Sequence, residues 1–140
     1  RSPSRGLGDV YKRQDWGHAK DYTEMQWRIM QQKKPKDYVI ATGHAYSVKQ
    51  FVNIAADYLG MKILWSGKGL NEIGYTFNKN KKEILIKIDK KYFRPNEVEY
   101  LKGDASKALK DLKFKPKYSF KALVEDMIDS DLLEAKKELE

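Results

Sequence analysis

The chain has 140 residues, of which 41% are apolar and 34% charged, so it is long enough for one domain with a modest core. It has no cysteine and only two histidines, which excludes disulfides, thiolate nucleophiles, cysteine-bound zinc and a classical histidine metal site. The net charge of +8 invites a polyanionic partner, but the lysines are scattered along the chain, as they are on a solvated surface.

The first fourteen residues differ in character from the rest of the chain. They have no apolar periodicity, they do not start with methionine, and the stretch from Asp9 to Gln14 resembles a translated sequencing adaptor. We therefore expect residues 1–14 to be a non-native or disordered segment, with a disordered natural tail as the alternative. No apolar run is long enough for a membrane span or a signal peptide, so a cytoplasmic location is the default expectation.

The first half of the chain has a helix–strand–helix pattern. Tyr22, Met25 and Ile29 recur at helical spacing and predict a helix over 16–32. The apolar run 38–41 predicts a strand, which a polar loop follows. Ser47 and Gln50 form a capping-box pattern, and the helix that they open is expected to end at Gly60.

The second half contains shorter elements. Strands are predicted over 62–65 and 84–88, and the polar, turn-rich segment 71–82 between them is predicted to be a loop. Asp104 and Ser119 are predicted to cap two further helices. Their expected apolar faces are Ala105, Ala108, Leu109 and Leu112 in the first, and Leu123, Val124, Met127 and Ile128 in the second. Alternating strands and helices predict an α/β fold with a small sheet and about four helices.

Motifs for nucleotide and redox chemistry are weak. Gly67, Gly69 and Gly74 do not lie between a strand and a helix, as a dinucleotide-binding fingerprint requires. A tyrosine precedes a lysine by four positions at 58/62 and at 75/79, but the first pair straddles a helix stop and the second lies in the expected loop. Both are interpreted as chance matches.

The two histidines have no partner that the sequence identifies. His18 is expected on the first helix, partly exposed, with a ligand contact as the alternative. His44 follows the predicted strand 38–41, a position where α/β proteins place functional loops, although loop polarity explains it equally well.

Arg94 and Glu97 form the best candidate binding pair. Arg94 precedes Pro95, which can open a helical turn whose free N–H groups attract phosphate. The guanidinium can bind phosphate through two parallel hydrogen bonds, and Glu97, one turn on, can accept hydrogen bonds from two neighbouring hydroxyls of a ribose. The pair therefore suits a nucleoside diphosphate, while a surface ion pair remains the alternative reading.

Several segments together resemble the GDP-mannose 4,6-dehydratases, which are extended short-chain dehydrogenase/reductases acting on a nucleotide sugar. The resemblance runs in order from Asp15 to about Leu133 and covers about the last third of a full enzyme. It rests on six segments: 15–22 (DWGHAKDY), 37–43 (DYVIATG), 47–52 (SVKQFV), Gly69 with Asn71, Glu72 and Gly74, 92–98 (YFRPNEV), and 103–104.

The resemblance implies that residues 15–140 are the C-terminal, nucleotide-sugar-binding portion of such an enzyme. The whole enzyme would bind NADP on an N-terminal Rossmann domain and convert GDP-mannose to GDP-4-dehydro-6-deoxy-mannose, a precursor of GDP-fucose and related deoxy sugars. Its acid, base and Tyr-x-x-x-Lys residues would lie upstream of this sequence, so the fragment is expected to be inactive. A cytoplasmic homo-oligomer with no nucleic-acid or membrane partner is implied for the parent enzyme.

The same resemblance assigns two site residues and indicates that a third, an arginine in the family, is replaced in this chain. The Arg-Pro-x-Glu motif that contacts the nucleotide falls on Arg94 and Glu97. The family's substrate-binding arginine before Asp-Trp-Gly is Gln14 here, inside the segment interpreted as non-native, so one phosphate contact is expected to be lost.

Two other functions remain open from the sequence. A free-standing basic module could bind nucleic acid by stacking bases on Trp27, Trp65 or Tyr92, although these aromatics are more simply read as core or domain-contact residues. A structural domain with no ligand is the third reading.

Overall fold

A computed structural model describes residues 12–92 and 100–139, and these residues divide into two compact units. Four α-helices and five β-strands lie in the described ranges, which confirms the expected α/β class with small sheets and four helices. No helix in those ranges combines the length and the apolarity needed to cross a lipid bilayer.

The first unit, which comprises residues 12 and 47–92 of the described chain, contains one helix and a three-stranded antiparallel sheet. Helix α2 (Val48–Tyr58) begins at the predicted capping box, in which Ser47 Oγ accepts from Gln50 N and Gln50 Oε1 accepts from Ser47 N. It ends at Gly60 as predicted, with φ +70°, where Met61 N donates to Ala56 O. The sheet follows, in the order β3 (Leu64–Ser66), β4 (Ile73–Asn78) and β5 (Lys81–Lys87).

The prediction of a loop over 71–82 is wrong. Only a short 3₁₀ turn (Gly69–Asn71) precedes β4, and β4 and β5 form a hairpin that pairs Asn78 with Lys81. Both central turn residues, Lys79 (φ 47°) and Asn80 (φ 64°), adopt the left-handed conformation that a two-residue hairpin turn requires. The turn lacks glycine, so its sequence does not give the usual hairpin signal.

The second unit, residues 13–46 and 100–139, contains the remaining helices and a two-stranded sheet of β1 (Arg13–Asp15) and β2 (Ala45–Ser47). Helix α1 (Ala19–Met30) and helix α3 (Ser106–Leu112) pack together around one core. The buried side chains of this core are Met25, Ala108, Leu112 and Phe114, with Ile29, Tyr38 and Ile40 packed against them.

The segment 38–41 is not a strand in this structure. It runs beside α1 and α3 with Tyr38 and Ile40 against their core, but no described residue pairs with it in a ladder. Its apolar sequence gives a strand pattern, whereas a strand also needs a hydrogen-bonded neighbour.

Ser119 caps the last helix as predicted, whereas Asp104 is not the N-cap of helix α3, which is Ala105. Helix α4 (Phe120–Leu139) begins after Ser119, whose Oγ accepts from Ala122 N at 3.1 Å. Asp104 accepts from Ser106 N at 3.0 Å, although helix α3 starts one residue later than predicted, after Ala105. Leu109 and Met127 were expected inside and are instead 54% and 43% exposed.

Candidate functional site

The carboxylate of Asp15 accepts four hydrogen bonds within the second unit. Its Oδ1 accepts from Thr42 N at 2.8 Å and from Thr42 Oγ1 at 2.5 Å. Its Oδ2 accepts from Gly43 N at 2.9 Å and from Gly103 N at 3.2 Å. One side chain therefore joins the end of β1 to the loop after segment 38–41 and to the segment before α3.

Strand β1 also contacts Tyr100 and Leu101 through Arg13. Tyr100 forms a parallel bridge with Arg13, and Leu101 N donates to Arg13 O at 2.9 Å. Gln14 is the next residue of this strand, and Tyr100 comes three residues after Glu97 in the sequence. The structure thus places Tyr100 and Leu101 beside Arg13, the residue before Gln14.

Two adjoining cavities open beside this junction within the second unit. One, of about 540 Å³, is lined by small residues of the 41–43 and 103–106 segments together with Lys102 and Asp104. The other, of about 590 Å³, is lined by Trp16, His44, Tyr46, Lys115 and Phe120 among others. Thr42, Leu109 and Pro116 line both cavities, and the Asp15 carboxylate holds Thr42 in place.

Close backbone approach shapes the first cavity. A Cβ atom on Gly103 would overlap the Cβ of Ala41, which is itself buried. Only glycine therefore fits at position 103 while the segment stays hydrogen-bonded to Asp15.

His18 is buried, contrary to the expectation of a partly exposed helix histidine. It caps α1: its Nδ1 accepts from Lys20 N at 3.0 Å, and its ring stacks on Tyr118 with centroids 4.1 Å apart. Since Nδ1 accepts a backbone proton, the neutral ring carries its hydrogen on Nε2, which donates to Asp126 Oδ2 at 3.0 Å. That hydrogen bond, helped by the charge of Lys20, lowers the pKa of Asp126 below its ordinary value.

His44 lies in the expected loop and is exposed. Its Nδ1 donates to Thr42 O at 3.1 Å, which turns the ring toward the second cavity's rim rather than toward an acid or a nucleophile. The described residues contain no group of three His, Asp or Glu side chains placed to bind a metal ion.

A buried charge pair in the first unit was not anticipated from the sequence. Glu72 is 2% exposed and its Oε1 accepts from Lys49 Nζ at 2.8 Å. The same ammonium lies 4.7 Å from the centre of the Trp65 ring, whose Nε1 donates to Asn53 at 2.8 Å. Lys49 and Glu72 are 23 positions apart, so only the fold shows that they meet.

Comparison with known proteins identifies the family. A family model described as GDP-mannose 4,6 dehydratase matches residues 2–127. The chain belongs to the GDP-mannose 4,6-dehydratase family. This confirms the resemblance read from the six sequence segments.

Curated members of the family align along most of the chain. GDP-mannose 4,6 dehydratases from Drosophila melanogaster and Homo sapiens are 44% and 42% identical over 126 residues, which are 90% of this chain. The protein of that name from Yersinia enterocolitica is 41% identical over 138 residues. The aligned parts make up 31%, 33% and 37% of these relatives, so the chain spans about a third of their length.

Solved structures support the fold class. A structure of RMD from Pseudomonas aeruginosa complexed with NADPH superposes with a TM-score of 0.62 at 13% identity, covering 88% of this chain and 34% of that one. UDP-glucose 4-epimerase from Bifidobacterium longum, in complex with NAD+ and UDP, gives 0.56 at 20% identity, covering 81% and 28%. Both likenesses support the predicted Rossmann-type α/β fold.

The family motif itself lies outside the described residues. Arg94 and Glu97 fall in 93–99, so their assignment to the nucleotide stays a prediction. Residues 1–11 of the segment interpreted as non-native also fall outside, whereas Arg13 and Gln14 form β1.

The described residues do not fit a dinucleotide cofactor. Gly67 and Gly69 lead through a 3₁₀ turn into strand β4, not into the helix N-terminus that would receive a pyrophosphate. Lys62 lies beyond the end of α2, and Tyr75 lies on β4, so neither Tyr-x-x-x-Lys match has the helical spacing of a catalytic pair.

Proposed function

We propose that this chain is the nucleotide-sugar-binding C-terminal portion of a GDP-mannose 4,6-dehydratase. The observation that carries the proposal is the 44% identity over 90% of the chain to a dehydratase of that name. The whole protein would convert GDP-mannose to GDP-4-dehydro-6-deoxy-mannose with NADP held by its N-terminal Rossmann domain. This chain would hold the GDP moiety and would be inactive by itself.

The binding residues in this proposal are Arg94 and Glu97. The guanidinium would grip the diphosphate and the carboxylate would accept from the ribose hydroxyls. The hydrogen bond from Leu101 to Arg13 supports this arrangement, because it holds a residue four positions after Glu97 beside Arg13, the residue before position 14. Position 14 is where the resemblance places the family's other phosphate-binding arginine.

The chemical steps are assigned to the part of the enzyme that this chain does not supply. Hydride transfer needs a dinucleotide site, and the described glycines do not form one. Loss of water across C5 and C6 needs a positioned acid and base, and the described histidines are engaged in a helix cap and a loop contact.

Calorimetric titration with GDP tests the binding role. We expect the chain to bind GDP more tightly than GMP or UDP, and Arg94→Ala to weaken GDP binding by about 10- to 100-fold, the range for hydrogen bonds to a charged group. Lys62→Ala removes the same charge from an exposed site of the first unit and is the matched control. Equal GDP affinity in both variants would remove Arg94 from the site.

A parallel titration separates the nucleic-acid-binding module from the sugar-nucleotide site. Single-stranded DNA is added at two salt concentrations, because binding to phosphates alone weakens steeply with salt. Strong, salt-sensitive DNA binding without a preference for GDP would support the module and contradict the proposed GDP-binding role. In an intact enzyme of the family, the matching arginine variant should raise KM for GDP-mannose and leave NADP binding unchanged.

A further inference from the structure

Four side chains of the first unit join helix α2 to the sheet, and we call them the α2 clamp. Lys49 and Asn53 lie one turn apart on α2. The ammonium of Lys49 contacts the buried carboxylate of Glu72 at 2.8 Å and lies 4.7 Å from the centre of the Trp65 ring. The indole Nε1 of Trp65 donates to Asn53 Oδ1 at 2.8 Å. The helix is therefore joined both to β3 and to the residue that precedes β4.

The backbone that presents Glu72 is closely packed. The 3₁₀ turn before it is closed by a hydrogen bond from Glu72 N to Gly69 O at 3.1 Å. Gly67 has φ +90°, and a Cβ atom there would overlap the carbonyl oxygen of Asn71, so only glycine fits at this position. Glu72 is thus held at its backbone by the turn and at its carboxylate by Lys49.

The α2 clamp lies at the end of the hairpin from which the chain continues toward the proposed binding motif. The register pairs Ile73, the first residue of β4, with Lys87, the last residue of β5. Glu72 therefore lies one residue beyond this pair, at the end where β5 continues into the 3₁₀ turn Lys90–Tyr92. Arg94 follows that turn by two positions in the sequence.

The ion pair of the clamp tolerates little displacement of its two partners. The side chains of Lys49 and Glu72 are 23% and 2% exposed, so water cannot replace the contact fully if the sheet shifts against α2. A charge that loses its partner inside a protein is costly, whereas an intact buried pair adds little stability over an apolar pair of the same size. The main effect of the pair is therefore to favour one placement of the end of the β4–β5 ladder.

We propose that Lys49 and Glu72 are positioning residues for nucleotide binding, which set the placement of Arg94 through the end of the β4–β5 ladder. The inference rests on the proposed function, in which Arg94 and Glu97 hold the diphosphate and the ribose. A guanidinium that makes two parallel hydrogen bonds to phosphate must be held within about 0.5 Å of its productive position. Loosening the ladder end should therefore weaken nucleotide binding although neither clamp residue touches the nucleotide.

Calorimetric titration of the full chain with GDP tests the proposal, because it measures the affinity and the binding-competent fraction separately. Glu72→Gln keeps the shape of its side chain and Lys49→Met keeps most of its length, and each removes one charge of the pair. Both should raise the dissociation constant for GDP about 3- to 30-fold, the range for side chains that act through a contiguous network, with unchanged stoichiometry. Lys49→Arg should restore most of the affinity, since a guanidinium can pair with a carboxylate and stack on Trp65.

A stability control separates positioning from folding. Ala56→Gly, at a buried position of α2 outside the clamp, should lower the free energy of unfolding in urea because glycine destabilises a helix interior, and it should leave the GDP affinity unchanged. The double variant Lys49→Met with Glu72→Gln removes both charges. It should therefore recover stability relative to the single variants, while its affinity for GDP stays low.

The possible results separate three cases. Clamp variants that lower only the stoichiometry, or a double variant that regains GDP affinity with its stability, would show a structural role and overturn the positioning role. Unchanged affinity in Glu72→Gln, or an equal loss in Ala56→Gly, would also overturn it, while weakened binding by Arg94→Ala would still support the proposed function. An Arg94→Ala variant that binds GDP as the wild type does would overturn both.

Discussion

Replacing Asp15 by asparagine removes charge and half of the acceptor capacity with almost no change in shape. The carboxylate accepts four hydrogen bonds, two at each oxygen. An amide keeps one oxygen, so its NH₂ group must face either Thr42 or the N–H groups of Gly43 and Gly103. Toward the glycines, two N–H donors lose their acceptor; toward Thr42, its N–H loses its acceptor and its hydroxyl must change from donor to acceptor.

The expected loss follows from these disrupted contacts. Hydrogen bonds to a charged group contribute about 1.5–3 kcal/mol each, and Asp15 is only half-buried, so Asp15→Asn should lower the free energy of unfolding by about 2–4 kcal/mol. In urea this corresponds to a midpoint shift of about 1–2 M. Fluorescence of the neighbouring Trp16 provides the assay, and Asp57→Asn, at an exposed position, should stay within about 0.5 kcal/mol of wild type.

A double-mutant cycle tests whether Thr42 is a partner of the Asp15 carboxylate. Thr42→Val removes one of the four donors, so its cost should be smaller in the Asp15→Asn background than in the wild type. Additive costs, or an Asp15→Asn loss below about 0.5 kcal/mol, would show that the carboxylate does not organise this junction.

Three further outcomes are expected. The lowered pKa of Asp126 means that its contribution is complete above the ordinary carboxyl value of 3.8 and is lost as the pH falls through the folded pKa, so His18→Ala should flatten the acid side of a Tm–pH profile. Lys79→Asn should stabilise the chain by about 0.5 kcal/mol in urea unfolding, because asparagine tolerates the left-handed turn, whereas Lys81→Asn in the strand should not. Gln14→Arg should tighten GDP binding about tenfold by calorimetry if position 14 faces the diphosphate, and leave adenosine binding unchanged.

Local signals in the sequence predicted the helices well. The Ser47–Gln50 capping box, the Gly60 stop and the Ser119 cap each depend on residues within four positions of one another, and each is present. The core face of α1 was also predicted, since its central residue Met25 is fully buried.

Features that depend on distant partners were not predicted. His18 is hydrogen-bonded to Asp126, which lies 108 positions away, and the Glu72 pair depends on Lys49. The β4–β5 hairpin was missed because its polar strands and glycine-free turn have the composition of a loop, although Ile73, Tyr75 and Phe77 alternate as a strand does. For the candidate site, the sequence supplied Arg94 and Glu97 through a family motif, whereas the Asp15 junction became visible only in three dimensions.

The segment 38–41 combines packed side chains with a backbone that pairs with no described strand. Tyr38 and Ile40 lie against a core, yet no ladder bond from a described residue protects the peptide groups of these positions. Amide hydrogens here should exchange with deuterium within seconds, while those of α1 a few ångströms away persist. Any neighbour that pairs with this segment as a strand would slow that exchange, so these four amides report directly on such pairing.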